Sequence, residues 1–477
     1  MTKFEPVIGL EVHLQLNTKS KMFCACPSGA KSDLPPNTAI CPLCSGQPGA
    51  LPVINEQAVM FALKAGLALN AQINLKSVFA RKNYFYPDLP KGYQISQDSK
   101  PIISGGFIET QNADGATKKI NIARAHLEED AGKSMHGQDY SLIDLNRCGV
   151  PLLEIVSAPD MRSAAEAYNY LVNLKSIMQW LDISGCDMEK GELRVDVNLS
   201  LMPEGSDKFG TRIEIKNLNS FKAVKDALQY EISRQSGILS SGGAITQQTM
   251  LWNEDKAVTE LMRNKETAQE YRYFPEPDLR PLVLNGDFIE LVKKTMPMLP
   301  AQKKDFYIKT YGISAYDAAL MTSDKDISSY FDEAVKQGAT AKPAVNWIGT
   351  DILGKLNAEN KEISSCPLKP KDLADLIGYI ESGKISGKMA KEIFAQAWSG
   401  AKAVSELVES SGASQVNDEA QLEIWAKEAI AENPKAAADI KAGNSKAIGA
   451  LVGSVMKKSK GKANPALLNK IFIKLIS

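Results

Sequence analysis

No uninterrupted run of about 18 apolar residues occurs anywhere in the 477-residue chain, so a membrane-spanning helix is not expected. Met1 to Leu10 carries no basic stretch followed by a long apolar segment, and no secretory signal is read there. Charge of one sign is also lacking. Lys plus Arg number 56 and Asp plus Glu number 56, so an anionic partner would have to be held by local patches. Histidine is scarce, with three in the chain. No Cys-His or Ser-His pairing suggests a nucleophile. Asp130–Ser134 imitates the end of a phosphate-binding loop, but Leu127 stands where that loop needs glycine. No Gly-x-Gly-x-x-Gly follows a strand. Ser240-Ser-Gly-Gly243 follows a helical segment, Ser220–Ile238, and reads as a helix stop. The sequence thus offers no P-loop, no dinucleotide-binding fingerprint and no activated Ser or Cys nucleophile.

What is present is ordinary globular material, 44% hydrophobic and 23% charged, in a chain too long for one core. Two or three domains are expected. The first 290 or so residues mix strands and helices, and from about residue 297 the apolar spacing is helical. Helices are expected at Pro370–Ser382, Lys388–Trp398, Glu419–Ala431, Ala447–Lys458 and Asn464–Ile476. The chain reads as α+β: a mixed, mainly antiparallel-sheet domain (1–295), an all-α helical domain (296–405) and a small α-helical tail domain (406–477).

Seven cysteines, an odd number, favour a reducing compartment over a disulfide framework, and a cytoplasmic location is expected. Cys24, Cys26, Cys41 and Cys44 form C-x-C and, fourteen residues on, C-P-x-C. Four thiolates at such spacing match a closed, tetrahedral, structural zinc site within an insertion at 24–44; reduced thiols without metal are the alternative.

The strands carry the chemistry. In Val7–Leu16, Glu11 and His13 share the polar face, about 6–7 Å apart along the strand. In Leu193–Leu201 that face holds Arg194, Asp196 and Asn198. In Arg212–Lys216 it holds Glu214 and Lys216. Ile120–Glu129 leads into His126, Glu128, Glu129 and Asp130, and the apolar Val150–Val156 carries a single Glu154. Such a face either meets water or, if the strands converge, gathers carboxylates and an imidazole into a Mg²⁺-type site. At the far end, residues 445–477 contain seven lysines and no Asp or Glu, including Lys457, Lys458, Lys460 and Lys462. This is either a phosphate-tracking surface or a solubilising face.

Several segments resemble the B subunit of the tRNA-dependent amidotransferases: Val7-Ile-Gly-Leu-Glu-Val-His13, Arg81–Gln97, His126–Lys133, Asp144–Glu154, Glu214–Ser220 and Tyr271–Asp278. The resemblance runs from about residue 5 to the C-terminus. Met202, Ala158 and Met250 depart from it, none of them at a site residue. It implies a catalytic cradle that converts Glu-tRNA(Gln) or Asp-tRNA(Asn) to the amide, through an acyl phosphate formed with ATP and Mg²⁺. The ammonia would come from a glutaminase A subunit, and a small C subunit would complete a heterotrimer. By motif, Glu11, His13, Glu129 and Glu214 are the expected metal-site residues, with Glu128, Glu154 and Asp196 beside them. Lys82, Tyr84 and Lys91, with Arg194 and Lys216, are expected to meet ATP or the tRNA acceptor end. The lysine-rich tail is expected to hold tRNA. The alternatives are a non-catalytic tRNA-binding scaffold and a small-molecule acyl-phosphate kinase.

Overall fold

The computed structural model describes residues 3–476 apart from 29–33, 113–114, 265–270, 401, 411–417, 442–446 and 460–462. The chain divides into two compact units, Met1–Leu299 and Pro300–Ser477. The division falls four residues beyond the boundary expected at 295. Met296 and Leu299 pack on the first unit's core, and the Trp180 indole donates to the Met298 carbonyl at 2.8 Å.

The first unit is built on a ten-stranded mixed sheet. Its centre is the Phe4–Gln15 strand, antiparallel to Pro151–Ser157 on one side and to Leu193–Pro203 on the other. Thr117–Glu129 lies beyond Pro151–Ser157, and Ile213–Lys216 lies beyond Leu193–Pro203. Gln248–Asn253 then joins in parallel, and Val258–Asn264 pairs with it antiparallel. The expected strands therefore form, each within a few residues of its predicted ends.

Alternation decides which face is covered. Ile8, Leu10, Val12 and Leu14 turn to the same side as Val195, Val197, Leu199, Ile213 and Ile215, and all are buried. Against them pack helix Ala164–Trp180, through Tyr170, Leu171, Leu174 and Met178, and helix Phe221–Ser240, through Val224 and Leu228. Each helix starts on a serine. The Ser163 hydroxyl accepts from the Glu166 amide at 3.1 Å, and the Ser220 hydroxyl from the Ala223 amide at 2.9 Å. Such caps stabilise a helix by about 1 kcal/mol. With this face filled by helices, the opposite one is left for polar side chains.

The second unit is helical throughout its described residues. Pro370–Glu381, Gly387–Trp398, Glu419–Glu432, Ile448–Lys458 and Pro465–Ile476 match the predicted helices closely. A further helix, Pro434–Lys441, begins at a proline, which suits a first helical turn, where its missing N–H has no partner to lose. Two apolar cores occupy the unit, one running from Tyr307 to Val408 and one from Leu422 to Ile476. Among the described residues no helix is long and apolar enough to cross a membrane.

Candidate active site and thiol site

Register lines up the polar residues in rows across the sheet. His13 faces Glu154 on one neighbour and Arg194 on the other, and Glu154 in turn faces His126. Two residues along, Glu11 faces Asp196; Asn198 faces Glu214 one strand further out. A cleft of about 310 Å³ opens beside Glu11, lined also by Asn198, Phe209 and Arg212.

Two imidazoles and two carboxylates meet at the centre. His13 Nε2 lies 3.2 Å from Glu154 Oε2 and 3.5 Å from Glu128 Oε1. His126 Nε2 lies 3.3 Å from Glu154 Oε2 and 3.8 Å from Glu128 Oε2. Ser96 donates to Glu128 Oε2 at 3.2 Å. Burial disfavours charge on both histidines, but Glu154 and Glu128 outweigh it. The pKa of His13 is raised, and that of His126 is pushed up to about 9. Burial acts on the carboxylates in the opposite sense and is likewise overcome. His126 holds Glu128 below its ordinary value, and His126 with His13 holds Glu154 well below it. One ligand atom from each of His13, Glu128 and Glu154 lies within 4.8 Å of the others. Two carboxylates and an imidazole so placed fit a divalent ion of the Mg²⁺ type, which fills its remaining positions with water and phosphate oxygens.

Cations surround this cluster. Burial opposes the Lys82 charge, yet the Glu128 and Glu154 carboxylates raise its pKa, and its ammonium sits 4.8 Å from the Tyr271 ring centroid. Arg194 donates to Asp130 Oδ1 at 2.9 Å. Lys216 joins Asp196 and Glu214, the latter at 3.0 Å. Glu214 also accepts from Thr249 at 3.1 Å, and Glu11 accepts from Asn198 at 2.9 Å.

The expected metal set is therefore only partly gathered. Glu11, His13 and Glu214 share one face, with Asp196 and Glu154, and Glu128 joins them. Glu129 does not, because the next residue on a strand points to the other side. It is buried, paired with Lys91, and accepts from the Ile95 amide at 2.9 Å. Lys91 is consequently engaged inside the protein. Tyr84 donates to Gln94 at 3.2 Å and packs edge-on against Tyr271, 6.0 Å between centroids. His126 is seen in the sequence as part of its acidic cluster but is not among the expected site residues. Its i, i+2 spacing from Glu128 on an alternating strand is the same signal that singles out Glu11 and His13.

The four cysteines also converge, with all four sulfurs within 4.8 Å of one another. The Cys41 and Cys44 sulfurs are 3.8 Å apart. Four sulfurs each about 2.3 Å from one zinc ion sit about 3.8 Å apart, so the residues present fit a tetrahedral thiolate site. A hydrogen bond with Cys24 lowers the pKa of Cys44 to about 4, helped by the Cys41 amide and the Lys21 charge. Gly149, at φ 84°, abuts this loop; a Cβ there would lie 3.7 Å from Cys44 Cβ and 3.8 Å from Glu129 Oε2.

At the other end of the chain, Lys457 and Lys458 are exposed at the close of their helix. Lys458 pairs with Glu428 at 3.1 Å and Glu432 at 2.5 Å. Lys460 and Lys462 lie outside the described residues.

A sheet whose polar face carries imidazoles, carboxylates and cations makes the first unit a charged cradle. Residues 6–290 match the GatB/GatE catalytic domain, and residues 329–476 match the GatB domain. The chain is 56% identical over 476 residues to the B subunit of the aspartyl/glutamyl-tRNA(Asn/Gln) amidotransferase of Elusimicrobium minutum, covering 100% of both chains. It is 49% identical to that of Persephonella marina, over 99% of this chain and 100% of the relative. For Thermotoga maritima the identity is 48%, over 99% of each. The chain belongs to the family of B subunits of the aspartyl/glutamyl-tRNA amidotransferases.

Proposed function

We propose that this chain activates and amidates the side-chain carboxylate of Glu or Asp carried on a mismatched tRNA. One observation carries the reading: His13, Glu128 and Glu154 meet within ligand distance on a sheet face that also carries Arg194 and Lys216, with Lys82 reaching the same carboxylates from a neighbouring small sheet. A substrate carboxylate oxygen attacks the γ-phosphorus of ATP, ADP leaves, and an acyl phosphate forms. Ammonia then attacks the acyl carbon, phosphate departs with the bonding pair, and a proton is lost from nitrogen. His13, Glu128 and Glu154 would hold the Mg²⁺, which neutralises phosphate charge when bound. Lys82, Arg194 and Lys216 supply fixed positive charge around the transferring group. His126, with its Nε2 3.3 Å from Glu154 Oε2 and 3.8 Å from Glu128 Oε2, holds the two carboxylates in place, and the proton lost by nitrogen passes to solvent.

In this reading ammonia reaches the site from a glutaminase A subunit, a small C subunit completes the heterotrimer, and the complex works in the cytoplasm. The helical domain from 296 and the tail from 406 hold the tRNA body, and the cysteine site holds structural zinc.

The test gives the purified chain ATP, Mg²⁺, ammonium and Glu-tRNA(Gln). Gln-tRNA is the expected product. No product from a folded chain that still binds the tRNA, together with normal turnover by a Glu154→Gln complex, would support a scaffold instead.

A further inference from the structure

Lys21 follows the first strand, and its side chain is fully buried. Its ammonium donates to the Ala39 carbonyl at 2.8 Å, reaches the Leu145 carbonyl at 3.5 Å, and points at Cys44 Sγ from 3.6 Å. Three N–H donors thus meet three acceptors, and none of them is a carboxylate. A buried cation without a counter-ion is strongly disfavoured. Of the three contacts, the Cys44 sulfur is the one that can carry negative charge.

The thiolates have the complementary need. Two positive charges on zinc against four negative sulfurs leave a doubly negative centre, held partly out of water. Cys44 is buried, and Cys24, Cys26 and Cys41 are half-buried. Hydrogen bonds from backbone and side chains are what stabilise thiolate centres of this kind. The Cys41 amide lies 3.1 Å from Cys44 Sγ, a neutral donor. Lys21 adds the full charge. Its placement is fixed from several directions: its own amide donates to the Cys26 carbonyl at 2.9 Å, and its carbonyl accepts from Asn55 at 3.1 Å. Its stem lies 3.4 Å from the Cβ position of Gly149, so a larger residue at 149 would press on it.

We propose that Lys21 is the charge-balancing partner of the tetrathiolate metal site, the residue that lets four thiolates share one divalent ion in a half-buried loop. The inference rests on the zinc reading of the four cysteines and goes beyond it, because it assigns a role to a residue that is not a ligand.

The experiment compares full-length wild type with Lys21→Met, which keeps the volume, and Lys21→Gln, which keeps a donor without the charge. Each is stripped of metal under reducing conditions and titrated with Zn²⁺ against a chromophoric chelator. Near-ultraviolet circular dichroism monitors folding. Wild type takes up one zinc per chain, and whichever variant folds binds it at least tenfold more weakly. The cobalt-loaded variants show a shifted sulfur-to-metal charge-transfer band. Equal zinc affinity and an unchanged cobalt band in either folded variant would overturn the role of Lys21 while leaving the site intact. A wild-type chain that takes up no zinc would overturn the site, and the inference with it.

Discussion

Glu128 and Glu129 are neighbours in sequence and work on opposite faces of one strand. Glu128 turns to His13 and His126, whereas Glu129 turns to Lys91 and the Ile95 amide. Their substitutions are therefore expected to fail in different ways. Glu128→Gln should cut amidation by at least a hundredfold, and it carries a stability cost of its own because His13 and His126 lose one of their two carboxylates. Glu129→Gln should cost roughly 3–5 kcal/mol, because it leaves the buried Lys91 uncompensated. Urea denaturation beside a turnover assay separates them. A Glu129→Gln variant that keeps wild-type stability yet loses turnover as fully as Glu128→Gln would contradict the assignment of faces.

Glu214 shares Lys216 with Asp196. Glu214→Gln in the assembled complex is expected to abolish amidation and leave tRNA affinity within a few-fold. Normal turnover would remove Glu214 from the site.

The pH dependence of the metal-free protein follows from His126. Its folded pKa is raised to about 9, so the unfolded chain releases its proton first as pH rises. The stabilisation is complete below the ordinary value of 6.5 and is lost as pH climbs through about 9. Melting of chelated protein should move to lower temperature over that window, and His126→Gln should flatten the change. A variant with the wild-type slope would refute the origin in His126.

Substituting Cys41 and Cys44 together by serine should abolish zinc uptake and loosen the loop that abuts Gly149. Metal analysis by mass spectrometry reads the first effect. Hydrogen exchange across residues 144–150 reads the second. Retained zinc in the double variant would place the ion elsewhere.

Neutralising Lys457, Lys458, Lys460 and Lys462 should weaken tRNA binding and flatten its salt dependence. Each phosphate that is no longer neutralised lowers the slope by somewhat under one unit. Lys458 already pairs with Glu428 and Glu432, so Lys457→Ala alone should reduce the slope more than Lys458→Ala alone. An unchanged slope in the quadruple variant would exclude phosphate binding by these lysines.

Period-two alternation makes the strands, and the sides on which Glu11, His13, Asp196 and Glu214 stand, readable from the residues alone. It also carries enough to part Glu128 from Glu129, but motif matching favours Glu129. Counting from His126 along Thr117–Glu129 puts Glu128, not Glu129, beside it. What alternation cannot carry is register. Only the pairing of His13 with Glu154, and of Glu154 with His126, shows which carboxylates share a centre. Nor can it show that a cation has claimed a carboxylate, as Lys216 has claimed Asp196 and Lys91 has claimed Glu129. Those are tertiary facts between distant segments.

The central position of the first strand sets an order of events during synthesis. Phe4–Gln15 leaves the ribosome well ahead of its partners, Pro151–Ser157 and Leu193–Pro203, and Glu11 finds Asn198 187 residues later. Such distant pairings carry a large loop-closure cost and form slowly. The nascent chain must hold an apolar, unpaired strand in waiting for most of the first unit's translation, a state open to misassociation. The acidic centre comes into being only when the sheet closes around that strand, so an incomplete chain holds its carboxylates and imidazoles apart.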